Sequence, residues 1–209
     1  MSIETQPYDS LPSLYDAGST FDAINGNNFI KEVMKPLFRT YGIEHSLGLA
    51  LMHSHFKLED NERLTDIRGK SLAWTGPGGG PAVWQLDGNV LRPHEFSFDS
   101  HLETPDWGSE MYQQFLSAFG KVLVGVGAQN IFGLCSYPGD DFEGRVETTI
   151  GRANVNLKTS EADLFLPGRR RDAAWFFADE LKDDSCKCTC VTNKDIDNHE
   201  HNGDHLVVG

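Results

Sequence analysis

Soft metal ligands crowd the end of this sequence. From Cys186 it reads Cys-Lys-Cys-Thr-Cys, then eight residues, then His-Glu-His and, after three more, His205. Three of the four cysteines and three of the eight histidines fall in this stretch. Thiolates and imidazoles at about 2.0 to 2.3 Å, in a tetrahedron, are what zinc takes, and thiolates also suit monovalent copper. Cys186, Cys188, Cys190, His199, His201 and His205 are therefore the candidate ligands, for zinc before copper. Geometry restricts how they act. Alternate side chains on a straight strand stand about 6.6 Å apart, so three sulfurs on one extended run cannot share an ion. Either Cys186–Cys190 curls, or two thiolates serve one metal. His201 and His205 suit one face of a helical turn.

The spacing from Cys188 to His201 to His205 matches part of a zinc finger, but Cys186-x-Cys188 is too short a cysteine loop. Thr189 to Glu200 also lacks the apolar residues a finger helix packs with, and the charge is wrong for DNA.

A second set of groups lies in the body of the chain. His53-Ser-His55 on a strand would place both imidazoles on one face, as metal ligands or as general acid and base. The hairpin that follows adds His94 and Glu95, and His101 comes soon after; His53, His55 and Glu95 are the candidate catalytic residues. Cys135 is a nucleophile if a base lies beside it, and otherwise a small buried apolar group. Neither Gly-x-Ser-x-Gly nor His-Glu-x-x-His occurs.

These groups need elements to hold them. Residues 1–20 carry Pro and Ser without periodicity and read as an extended lead-in. Ile30, Val33, Met34, Leu37 and Phe38 share one helical face starting near Asn28, with Pro36 kinking or ending the helix. His45 to Leu58 reads as a buried strand and Arg63 to Trp74 as another. Gly76 to Pro81 is a loop without the ending of a phosphate-binding loop. Val83 to Phe98, with Asp87-Gly88 between its arms, is a hairpin. Thr104-Pro105 starts a helix whose apolar stripe runs from Tyr112 to Val126. Gly125-Val-Gly127 is no dinucleotide fingerprint, because it closes a helix instead of opening one. Ile131–Ser136, Arg145–Ile150, Asn154–Lys158 and Ala173–Ala178 are further strands. The expectation is an α+β domain, residues 21–178, with a largely antiparallel sheet packed by two main helices. From residue 179 to 209 the composition turns polar and acidic, and a tail is expected.

The chain has 209 residues and a formal net charge of -13. Such a charge repels phosphate backbones and anionic membranes, and Arg169-Arg170-Arg171 is too short a basic run to reverse it. Neither nucleic acid nor membrane is expected as a partner; a metal ion and a small organic substrate are. The N-terminus has no basic start or apolar core of a secretory signal, so a cytoplasmic location is expected.

Gly48-Leu-Ala-Leu-Met-His-Ser-His-Phe56, the Trp84 to Phe98 hairpin with Pro93-His94-Glu95-Phe96, and the Cys-x-Cys-x-Cys and His ending together resemble an uncharacterised family of intracellular filamentous-fungal proteins. The resemblance implies no activity and transfers no site residue. The residues themselves point first to soft-metal binding through the terminal Cys/His cluster. Alternatives are a small-molecule enzyme of lyase, isomerase or hydrolase type using His53 and His55, and an interaction module held in shape by zinc.

Overall fold

The computed structural model describes residues 8–99, 101–102, 104–158, 162, 169–178 and 187–192. Among them ten strands close into a barrel. They are β1 (Leu47–Leu51), β2 (Arg63–Asp66), β3 (Lys70–Trp74), β4 (Gly80–Asp87), β5 (Val90–Ser97), β6 (Phe132–Ser136), β7 (Arg145–Ile150), β8 (Ala153–Lys158), β9 (Arg169–Trp175) and β10 (Lys187–Thr192). Around the barrel the order is β1-β6-β4-β5-β2-β3-β8-β7-β10-β9, and β9 returns to β1 through Leu49–Trp175 and Ala50–Ala174. Two neighbours are parallel, β2 with β5 and β7 with β10.

This corrects the expected α+β sheet packed by two helices. Most strands were visible as short apolar or alternating runs, although the single strand expected over Arg63–Trp74 is the pair β2 and β3 and the one expected at Ala173–Ala178 starts earlier, at Arg169; closure depends on which edges meet. Pairing at both flanks removes every free edge, which an open sheet would leave unsatisfied. The closing strand β10 lies inside the stretch read as a tail. In it Cys188 and Cys190 alternate with Thr189 and Val191, and Cys190 is buried in the wall.

The helices are α1 (Leu14–Ala23), α2 (Gly26–Phe29), a π-helical turn (Ile30–Met34), α3 (Lys35–Thr40) and α4 (Glu110–Val126). Helix α1 replaces part of the expected extended lead-in. Ser13 caps it, its hydroxyl accepting from the Asp16 backbone N–H at 3.1 Å. The π turn stands one residue ahead of Pro36. A proline ring clashes with the carbonyl four residues earlier, and the wider turn relieves that clash without ending the helix. Helix α4 starts later than Thr104-Pro105 suggested, because Trp107 turns back to the Pro105 carbonyl at 2.9 Å. It ends at Gly127, whose φ of 69° is left-handed. Among the described residues no helix is long and apolar enough to cross a membrane.

Two apolar clusters follow from this layout. The larger lies between the helices and one wall of the barrel. Phe38 meets Phe115 and Phe177 edge-on at 5.2 and 4.8 Å, and Phe21 stacks on Trp175 at 5.6 Å. The smaller takes the alternate residues of the same strands, Ala50, Met52, Cys135, Ala174 and Phe176, together with Leu64 and Tyr8. On β1 the odd-numbered leucines thus pack on the helices while Ala50 faces the other way. The small inward residues leave room for polar side chains inside the barrel.

Candidate metal centre

Just beyond β1 the chain leaves the strand. Ser54 bridges to Ser13, its N–H donating to the Pro12 carbonyl at 2.9 Å, and the His55 N–H donates to the Tyr8 hydroxyl at 2.9 Å. The N-terminal segment therefore pins the His-Ser-His turn. His53 is 6% exposed, and its ring stands 4.4 Å from that of His55, centroid to centroid. The two imidazoles are closer than the strand spacing implied, because the backbone no longer runs straight.

The third group is Glu147 of β7. Its Oε2 lies 3.6 Å from His55 Nε2, with the side chains 15% and 6% exposed. One ligand atom from each of His53, His55 and Glu147 lies within 4.8 Å of the other two, a spacing that a single metal ion can bridge. His53 adds a further indication. Its Nδ1 sits 2.7 Å from the Leu51 carbonyl, so that nitrogen carries the proton and donates. The other nitrogen, Nε2, is buried with no hydrogen-bond partner among the described residues. A backbone carbonyl fixing one imidazole nitrogen while the other keeps a bare lone pair is the usual arrangement of a metal-ligating histidine.

The electrostatics agree. Burial, then the neighbouring His55, holds His53 down to about 4 from its ordinary 6.5, and burial does the same to His55. Both imidazoles are neutral near pH 7, the form that binds metal. The carboxyls move in the other direction. Burial, then Glu147 and Asp66, pushes Glu95 up to about 8, and burial raises Glu147 against the opposing pull of His53. Buried carboxyls facing one another must keep a proton or acquire a cation.

Glu95 of β5 thus feels the charge of Glu147, and burial holds it toward its neutral form. None of the four residues His53, His55, Glu147 and Glu95 lines a cleft, but residues that act on them line two. Asp66 and Arg145, which act on Glu95 and Glu147, line a wide cleft of about 1180 Å³. Tyr8, bonded to His55, lines a smaller one of about 540 Å³.

The terminal cluster fares differently. Cys186, His199, His201 and His205 lie outside the described residues. Cys188 and Cys190 belong to β10, and that run is extended. Cys190 is 3% exposed and donates its thiol to Glu147 Oε2 at 3.2 Å; burial, then Glu147, keeps the thiol well above its ordinary value. Burial also raises the Cys135 thiol, which therefore stays protonated and packs as an apolar group.

Sequence reasoning found the histidine pair and Glu95 but missed Glu147. The available signal was the alternation Arg-Val-Glu-Thr-Thr-Ile, which puts Glu147 opposite the buried Val146. A charged residue in such a strand normally faces water, so nothing in the pattern marked it as inward. No protein-family model, curated protein or solved structure matches the chain.

Proposed function

We propose that the chain is a metal-dependent enzyme whose ion is held inside the barrel by His53, His55 and Glu147. The observation that carries this reading is the convergence of the three ligand atoms within 4.8 Å, one of them the unpartnered Nε2 of His53. Two histidines and a carboxylate leave positions open for water or substrate, which separates catalytic sites from closed structural ones. This donor set contains no thiolate, so zinc or ferrous iron fits it better than monovalent copper.

Near the ion, Glu95 supplies a further buried carboxyl, which burial holds toward its protonated form in the metal-free chain. A Lewis acid near a buried carboxyl suits hydrolysis, elimination or isomerisation of a small molecule. Metal content of tag-free protein tests the reading. Wild type should carry close to one ion per chain, and the double variant His53→Ala with Glu147→Gln should carry none while keeping its circular dichroism. Equal metal in both would overturn it.

A further inference from the structure

Strand register carries one face of β7 from the barrel interior out into the wide cleft. Arg145 and Glu147 are successive residues on that face, and their partners on β8 are Lys158 and Asn156. Across β10 the same two face Cys188 and Cys190, of which Cys190 is buried against Glu147. The face that holds Glu147 inside therefore presents Arg145, Asn156 and Lys158 to the cleft, which all three line.

Arg145 is exposed, and its guanidinium makes no ion pair or hydrogen bond with a described residue; it lies over the Phe142 ring at 5.6 Å. Lys158, also exposed, stands directly across from it on β8, and like charges so placed repel. The acids of the cleft are turned elsewhere. Asp66 accepts from the Gly69 N–H at 3.2 Å and Asp99 from the His101 N–H at 2.9 Å, while Asp141 and Glu143 stand exposed on the loop before β7. The opposite wall is aromatic. Phe98 is 42% exposed, a large apolar side chain left open in the cleft, and Trp74 meets it edge-on at 5.6 Å.

We propose that the wide cleft binds a small aromatic carboxylic acid, its carboxylate on Arg145 and its ring against Phe98 and Trp74. An exposed guanidinium beside a second cation selects an anion, and its planar fork matches the two oxygens of a carboxylate. Open aromatic rings select a flat apolar body. The formal charge of -13 does not prevent this, because screening over about 8 Å leaves the nearest cations to set the field at the Arg145 guanidinium. Arg145 and Phe98 are both open to the cleft as the chain stands. The site uses no ligand of the metal centre and does not depend on an ion there.

The test is isothermal calorimetry of the full chain with 2-naphthoate, with 2-naphthamide as the neutral isostere. Saturable binding of 2-naphthoate is expected, with 2-naphthamide about tenfold weaker or worse, the size of one charge-assisted hydrogen bond. Arg145→Gln should weaken 2-naphthoate about tenfold and leave 2-naphthamide unchanged, whereas Arg145→Lys keeps the charge and part of the affinity. Phe98→Ser should weaken both probes alike. Absence of saturation, equal affinity for the two probes, or unchanged 2-naphthoate affinity in Arg145→Gln overturns the proposal. Should that variant fail to fold, salt decides. Raising sodium chloride from about 50 to 500 mM should weaken 2-naphthoate alone, and a level affinity across that range overturns the proposal equally.

Discussion

The Cys190 thiol and the Glu147 carboxylate meet at 3.2 Å, so the cysteine-bearing strand and the histidine pair converge on one side chain. Cys190 orients the carboxylate that His55 also faces. Partners of this kind shift metal affinity about tenfold to a hundredfold when removed. Cys190→Ala is therefore expected to weaken metal binding about tenfold, measured by competition against a chelator, whereas Cys190→Ser keeps a donor and most of the affinity. Equal affinity in both variants and wild type would show that the thiol does nothing for Glu147.

Truncation separates the strand from the residues beyond it. A chain ending at Thr192 keeps β10 and should retain both metal and a cooperative thermal transition. A chain ending at Asp184 loses β10, which pairs with β7 on one side and β9 on the other. That cut exposes two strand edges and part of the inner cluster, and the transition should broaden or vanish in a circular dichroism melt. Loss of metal from the Thr192 version, with its fold intact, would return the ion to the histidines of the terminal segment.

The metal-free protein should have its stability maximum near pH 6.5. His53 and His55 fold at about 4 against 6.5, so the unfolded chain holds protons the folded one refuses. Their contribution is full above 6.5 and is lost as the pH falls toward 4. Glu95 works in reverse: its folded value of about 8 against 4.5 gives stability that is full below 4.5 and lost as the pH rises through 8. Of these three groups only the carboxyl acts on the alkaline side. Urea midpoints after chelation should fall between pH 6.5 and 8.5, and Glu95→Gln should lose less over that range, by on the order of 2 kcal/mol. A level alkaline limb in wild type would contradict this.

Close packing inside the barrel gives a stability test that leaves the ligands untouched. A Cβ on Gly133 of β6 would come within 2.4 Å of the Met52 sulfur and 2.4 Å of the Trp84 carbonyl. The sulfur can move, but the carbonyl belongs to the neighbouring strand and cannot. Gly133→Ala should cost about 1 to 3 kcal/mol, read as a lower melting temperature. An unchanged melt would mean that β4 and β6 can separate without penalty.

Much of the local structure was legible. The β4–β5 hairpin, the strands β6, β7 and β8, and most of helix α4 follow from period-two or helical spacing that each segment carries within itself. His53 and His55 were visible because two histidines with one residue between them stand out in any sequence. Glu147 was not, since its role depends on a face that only the barrel defines. The cysteine run was legible as chemistry and misplaced as structure: its polar neighbours suggested a tail, and its pairing with β7 and β9 lies far away in sequence.

By itself the sequence determined many of the strands and the helix around Tyr112 to Val126, that the helical run ahead of Pro36 must distort, and that imidazoles, thiols and carboxyls are available. These are local properties, set by spacing, ring closure and side-chain type. Tertiary structure decided the closure of the sheet, which of two cysteine positions reaches a carboxylate, and which glutamate joins the histidine pair. Those outcomes depend on strand register across the barrel, where a shift of one residue turns every side chain to the other face. The wall that β10 completes brings Cys190 to Glu147, and the Tyr8 hydroxyl accepting from the His55 N–H aims the histidine turn at the same carboxylate.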